Sequence, residues 1–323
     1  MGSEWQRATK REPCKICEAI KWCIITDDGS TAICMNIKSD KPKTFRDGSV
    51  GFIHKLSDND GATSMKIVAR VKKPRVTDAE LNFRFAPQCR SWYVGTGDSW
   101  YVGNGDKINE LARMIGVPTW VLDALKVGWD GEAWTIPERN HQGLVVGVSR
   151  RLLDGSKLCV VGSRRGLTYA DDWDSGDGPL FVVEGGTDVA AGLAMELAIV
   201  GRPSNVGGVE YLTRLLCRVN RRIIIVGERD RKEHDSLSKA VRSGHDPKCG
   251  GCRLCWPGKA GAVATSIALS RRLNRIVDWS FPPDGVKDLR AWFIARGVDI
   301  NNRAALRRIG QSFVRRMKNA KKD

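Results

Sequence analysis

The sequence predicts an α/β protein: a parallel sheet with helices on its faces, preceded by a small cysteine-bearing β module and a basic α+β segment. Three observations predict it. First, two short apolar runs, Leu180 to Val183 and Ile223 to Val226, end in acids, Glu184 in one and Glu228 with Asp230 in the other. Apolar runs bounded by turn residues read as buried strands, and acids at the carboxyl ends of parallel strands lie where α/β folds carry their chemistry. Second, strand-like and helix-like stretches alternate from Leu180 to Arg296, the signature of a helix-covered parallel sheet. Third, seven of the ten cysteines fall into two tight clusters, in a chain of 323 residues with a formal net charge of +16.

The acids come first because the chain is organised around them. Gly185 and Gly186 form a turn after Glu184, and Thr187 reads as the N-cap of a helix from Asp188 to Leu197. Glu228 and Asp230, two apart on an extended chain, face the same side. Glu184, Glu228 and Asp230 are therefore expected to converge on one divalent cation, hard oxygen ligands for a hard metal.

These residues resemble the Toprim domain of DnaG-type primases, topoisomerases and some nucleases. Glu184-Gly-Gly-Thr-Asp188 matches its Glu-Gly-x-x-Asp, and Glu228-Arg229-Asp230 stands in place of its Asp-x-Asp. Pro282-Pro-Asp-Gly-Val-Lys287-Asp288 matches a later Lys-Asp after a Pro-rich turn. Arg290 occupies a position where DnaG-type enzymes often carry a further acid. The resemblance implies Mg2+ or Mn2+ as cofactor and adds Asp188, Asp288 and Lys287 to the site.

Composition narrows the partners. No apolar run is long enough to span a bilayer and no signal peptide is present. The expectation is a soluble cytoplasmic protein, bacterial or encoded by a phage or plasmid in a bacterial host. The positive charge points to a polyanion, most simply nucleic acid. A membrane surface is the blander alternative, without a lipidation motif to support it. Cysteines in such a compartment indicate metal sites before disulfides.

Residues 1–60 carry Cys14-x-x-Cys17, Cys23 and Cys34. Strands Trp22 to Ile25 and Thr31 to Met35, turned at Asp27-Asp28-Gly29, bring Cys23 and Cys34 toward the Cys14–Cys17 knuckle. Four thiolates favour zinc, with His54 as the alternative fourth ligand. The segment resembles the zinc-binding domain of phage and bacterial primases, a zinc-ribbon-like β module. Residues 61–90, polar then basic, read as a linker.

Residues 91–171 form the basic segment. It opens on a duplication, Ser91-Trp-Tyr-Val-Gly-Thr-Gly-Asp98 then Ser99-Trp-Tyr-Val-Gly-Asn-Gly-Asp106. Each copy reads as a short strand and turn whose aromatics stack on bases or simply pack. Helices Lys107 to Met114 and Thr119 to Leu125 follow. Strands Ala133 to Pro137, Gly143 to Leu152 and Lys157 to Val161 are punctuated by Arg150, Arg151, Lys157, Arg164 and Arg165. The stretch Ile136 to Lys157 resembles the basic subdomain before Toprim in the DnaG polymerase core. That resemblance implies that Arg151 and Lys157 face template and nucleotides, with Arg164 and Arg165 balancing phosphate charge. An ordinary solvated charged face is the alternative.

Residues 172–296 form the Toprim segment. Its elements are strand Ala198 to Val200, helix Val209 to Val219, strand Ile223 to Val226, helix Ala260 to Leu273, strand Arg275 to Trp279 and helix Lys287 to Arg296. An insertion, 231–257, is too long for a normal strand-to-helix loop. It carries His245, Cys249, Cys252 and Cys255, a Cys3His set suited to a second structural zinc, with His234 as rival for the fourth position. Residues 297–323 are basic, and Leu306, Ile309, Phe313 and Met317 share one helical face. Such a helix docks on the core and touches nucleic acid, or is a solubilising end.

The sequence thus reads as a compact primase with one or two Zn2+, making short RNA primers on a single-stranded DNA template from ribonucleoside triphosphates. No Gly-x-x-x-x-Gly-Lys-Ser/Thr phosphate loop is present, so the chain is expected to carry no helicase of that kind, and a replicative helicase partner is implied by resemblance alone. The alternatives are a Toprim nuclease and a non-catalytic zinc/Toprim recombination mediator.

Overall fold

Five short antiparallel strands build the first of two units, Met1–Lys73; the second unit is Pro74–Asp323. The computed structural model describes residues 5–20, 22–45, 49–56, 76–93, 105–176 and 178–319. In the first unit β1 (Trp5–Arg7), β2 (Ile24–Thr26), β3 (Thr31–Cys34), β4 (Pro42–Thr44) and β5 (Val50–Lys55) lie in the order β1-β2-β3-β5-β4. The β2–β3 hairpin turns where Asp28 accepts the Ser30 amide at 2.9 Å, a short-range side-chain turn of the kind Asp favours.

The second unit opens with α1 (Asp78–Trp92), which corrects the linker reading from Asp78 onward. Thr77 and Glu80 close a capping box, and Leu81, Phe85 and Cys89 bury one face against Val146 and Val148. The duplication is also read differently. Ser91 and Trp92 end α1, Tyr93 bridges Gly128, and Gly105 and Asp106 begin α2 (Gly105–Ile115). Residues 94–104 lie outside the described residues. After α3 (Thr119–Ala124) come β6 (Gly128–Trp129), β7 (Ala133–Arg139), β8 (Val145–Leu152) and β9 (Lys157–Cys159), an antiparallel sheet in sequence order.

The third sheet is fully parallel, in the order β11-β10-β12-β13: β10 (Leu180–Glu184), β11 (Ile199–Arg202), β12 (Ile223–Val226) and β13 (Asp278–Ser280). Period-two alternation sorts its side chains. Phe181, Val183, Ile224 and Val226 pack toward α4 (Gly186–Ala194), α8 (Leu289–Ile294) and α9 (Arg303–Asn319). Leu180, Val182, Ile223 and Ile225 pack toward α5 (Val209–Leu216) and α7 (Pro257–Leu273). The short α6 (Lys239–Arg242) lies in the insertion. Helix α4 begins one residue before Thr187, whose N-cap role is taken by Gly185 at φ 77°. The chain must leave β10 sharply there, and only glycine takes that conformation without strain.

Residues 167–168 join the two sheets. Leu167 exchanges both backbone hydrogen bonds with Arg139 at 2.7 Å, and Thr168 does the same with Gly201 at 2.9 and 2.7 Å. The basic antiparallel sheet is thereby tied to the edge of the parallel one.

Helix α9 docks on the core. Leu306, Ile309, Phe313 and Met317 are all buried, and the Phe313 ring sits 5.1 Å from Phe181 and 5.0 Å from Trp292. Its other faces carry arginines. Phe313→Ala should lower the unfolding free energy by about 3–5 kcal/mol, because it opens a cavity at this junction. Denaturant titration reads the loss; a change below ~1 kcal/mol would mean that the helix is not held by this contact.

Candidate functional site

The carboxyl edge of the parallel sheet presents the acids. Glu184 ends β10, and Gly227 to Asp230 follow β12, pinned on two sides. Gly227 donates to Ser280 O at 2.9 Å and Arg229 to Lys287 O at 2.7 Å. Asp230 accepts the Gly258 amide at 2.8 Å, at the start of α7. A side chain at Gly258 is excluded: its Cβ would lie 2.5 Å from Glu228 O and 2.6 Å from Asp230 Oδ1.

Five acids feel one another. Burial, then Glu184, pushes Glu228 up to about 7, with Lys287 opposing. Burial raises Glu184, with Arg202 and Lys157 opposing and Asp230 adding. Asp188 is buried and held well above the usual carboxylate range by desolvation, then by Asp288 and Glu228. It accepts the Arg290 amide at 3.2 Å, while Asp288 caps α8 through Ala291 N at 2.7 Å. Like charges crowded this way disfavour joint ionisation, and a divalent cation relieves them. Among the described residues, no three acid oxygens come within 4.8 Å of one another.

A cleft of about 250 Å³ lies between this edge and the antiparallel sheet, lined by Glu184, Arg151, Lys157 and Arg165 among others. Arg165 is engaged there, donating from Nε to both Glu138 oxygens at 3.0 and 2.9 Å. Arg164 does not line the cleft and instead pairs with Asp78 and Val76 O, fastening α1. Arg150 is paired with Asp130 at 2.6 Å. Arg151 is lowered by burial and then by its neighbour Arg290, and the Nε of both lacks a partner among the described residues. A larger hollow of about 530 Å³ beside α9 lies away from the acids, lined by Glu196, Arg303 and Arg307.

Sequence reasoning missed Arg202. It ends β11 directly opposite Glu184 in the register and is wholly buried. Its Nη1 donates to Thr265 Oγ1 at 3.0 Å and to Asn205 O, while Nε and Nη2 find no partner among the described residues. Its charge draws Glu184 and Glu228 toward ionisation. The rule that marked the strand-end acids marks this arginine equally.

The first cysteine cluster assembles completely, and three of the four residues of the second do. Cys14, Cys17, Cys23 and Cys34 bring their sulfurs within 4.8 Å of one another. His54 lies outside that group and contacts Ile37 O at 3.1 Å. Backbone amides of Asn36 and Ile37 point at Cys34 Sγ at 3.4 and 3.2 Å, and Met35 N at Cys23 Sγ at 3.4 Å. Burial opposes ionisation of Cys17, but the Asn36 side chain and Ala19 backbone bring it down to about 7. Burial drives Cys34 up to about 11. Amide donors aimed at crowded sulfurs suit thiolates bound to zinc. In the second unit, His245, Cys249 and Cys252 gather likewise, and Cys255 Sγ lies 2.8 Å from His245 Nε2. His234 is outside this group.

The second unit has the fold of a DnaG-type primase catalytic core, its parallel sheet following an antiparallel basic one. A DnaG primase catalytic domain bound to single-stranded DNA superposes with a TM-score of 0.51 at 14% identity, over 75% of this chain and 80% of that one. The zinc-binding and RNA polymerase domains of the Aquifex aeolicus primase give 0.48 at 14% identity, over 74% and 62%. The RNA polymerase domain of Mycobacterium tuberculosis primase gives 0.45 at 16%, over 75% and 84%. No family model and no curated protein matches the sequence. Among the described residues, no helix is long and apolar enough to cross a membrane.

Two predictions follow from the acids. Glu184, Asp188 and Glu228 hold protons more tightly folded than unfolded. Their contribution therefore favours the metal-free fold at low pH and is lost as pH rises, toward about 7 for Glu228. The rise in Tm on adding Mg2+ should accordingly be small near pH ~5 and grow toward ~8; a pH-independent rise would place the cation elsewhere. Gly258→Ala changes no charge, yet should weaken Mn2+ binding about tenfold by displacing Asp230. Unaltered Mn2+ titration in a folded variant would remove Asp230 from the site.

Proposed function

We propose that the chain is a DNA primase that makes short RNA primers on single-stranded DNA. The observation that carries this is the pairing of two surfaces across one cleft. Glu184 faces a basic sheet edge bearing Arg151 and Lys157 across the cleft, and Glu228 and Asp230, outside the cleft lining, are electrostatically coupled to it. Mg2+ or Mn2+ on those acids, with Asp288 nearby, would supply Lewis-acid stabilisation for phosphoryl transfer from a ribonucleoside triphosphate. Arg151, Arg290, Lys157 and Lys287 would balance phosphate charge. Buried Asp188, coupled to Asp288 and Glu228, would add its charge to the cluster. The solved primase domain bound to single-stranded DNA supports a DNA template for this fold.

The remaining parts take roles by the same reading. The Cys14–Cys34 module would hold a structural zinc and help select the start site on the template. The segment 91–171 would carry template and nucleotides, 172–296 the metal chemistry, and the arginines of 297–323 further phosphate contacts. A replicative helicase is a candidate partner.

The test is synthesis of labelled RNA from ribonucleotides on mixed-sequence single-stranded DNA with Mg2+ or Mn2+. Glu184→Gln, which keeps volume and removes charge, should lower synthesis at least ~100-fold with DNA affinity retained. Full activity in that variant would overturn the metal-site assignment. Metal-dependent DNA cleavage without primer synthesis would identify a nuclease instead.

A further inference from the structure

The insertion between β12 and α7 runs through a short 3-10 turn and α6, and most of it is exposed. A segment with so little core needs another source of order. Four donors supply the means. His245 Nε2 lies 2.8 Å from Cys255 Sγ and 3.3 Å from Cys252 Sγ. The Cys252 amide points at Cys249 Sγ at 3.2 Å, and the Cys255 amide at Cys252 Sγ at 3.4 Å. Such turns, each amide aimed at the sulfur three residues back, suit thiolates gathered on one ion. The Trp256 indole closes the loop on Cys249 O at 2.9 Å.

This knuckle is wired to the acids at both ends. On one side, Lys232 donates to Cys255 O at 2.7 Å and Arg231 Nη2 to Pro247 O at 2.9 Å. These two residues directly follow Asp230. On the other side, Cys255 lies just ahead of Pro257, the first residue of α7, whose Gly258 amide holds Asp230 Oδ1. Asp230 is therefore held by two pieces of chain next to Cys255: the backbone that directly follows it, through Lys232, and the Gly258 amide at the start of α7.

We propose that the insertion folds on a zinc ion held by His245, Cys249, Cys252 and Cys255, and that this zinc knuckle positions Asp230 for divalent-cation binding. The zinc takes no part in phosphoryl transfer. It sets the place of one ligand in the neighbouring site, as an outer-shell partner does, and such partners commonly change metal affinity by about 10–100-fold. The second half of the proposal rests on the acid site proposed above.

Two measurements on the full chain test it, neither needing DNA or nucleotide: zinc per chain by elemental analysis, and Mn2+ affinity by the electron paramagnetic resonance of free Mn2+. Wild type should hold about two zinc ions, one for each four-ligand set. Cys252→Ser should hold one fewer and bind Mn2+ about tenfold more weakly. Cys252→His, which keeps a zinc donor, should preserve both. Cys14→Ser should lose a zinc and keep Mn2+ affinity. Unchanged zinc in Cys252→Ser overturns the site; lost zinc with unchanged Mn2+ affinity overturns the positioning. A Cys252→Ser chain that does not fold is replaced by Cys249→Ser, to which the same two readings apply. Asp230→Asn with wild-type Mn2+ affinity would instead sink the acid-site reading, leaving the zinc result standing.

Discussion

Mutual repulsion among carboxylates is the constraint around which the second unit is built. Glu184, Asp188, Glu228, Asp230 and Asp288 are brought together by strand ends and a helix cap, and burial penalises the charge of Glu184, Asp188 and Glu228. Water would separate them at once. The fold keeps them by spending other interactions on the purpose: the Gly258 amide on Asp230, the Arg290 amide on Asp188, the Ala291 amide on Asp288, and buried Arg202 beside Glu184. Protonation of part of the set relieves the rest.

A second requirement is that the opposing basic surface stay in place. Two residues, Leu167 and Thr168, meet it through backbone hydrogen bonds to Arg139 and Gly201. Arg165 reinforces the joint, since its guanidinium spans buried Glu138 and Pro203 O. A guanidinium so committed is a strut, whereas Arg151 and Arg290, with nitrogens left unpaired among the described residues, retain capacity for an anionic guest.

How much of this was legible follows from the range of the interactions. The parallel sheet and its acids were readable because a four-residue apolar run ending in an acid is a local pattern. Both cysteine sets were readable because their spacing is local too. Helix α1 was hidden: its buried face is only Leu81, Phe85 and Cys89, and Pro87 interrupts the pattern. Tertiary contact with β8 decides it. The division of labour among the arginines was equally hidden, since Arg164 finds Asp78 across a long stretch of chain and its neighbour finds Glu138. No spacing rule separates adjacent residues of identical type. Arg202 ends a four-residue strand just as the acids do, so the same local pattern marks it.

Helix α9 sets an order on biogenesis. Phe181 lies in the strand that carries Glu184, yet the ring that covers it, Phe313, is translated only after every other element of the sheet. Vectorial synthesis therefore leaves Phe181 and the part of this face that α9 covers open, beside α4 and α8, until α9 emerges. Contacts so distant in sequence form late, and the waiting intermediate is exposed to aggregation. A ribosome stalled ahead of Arg303 would hold a chain with its acids in hand and the Phe181 and Trp292 rings still lacking Phe313, a natural client for a chaperone.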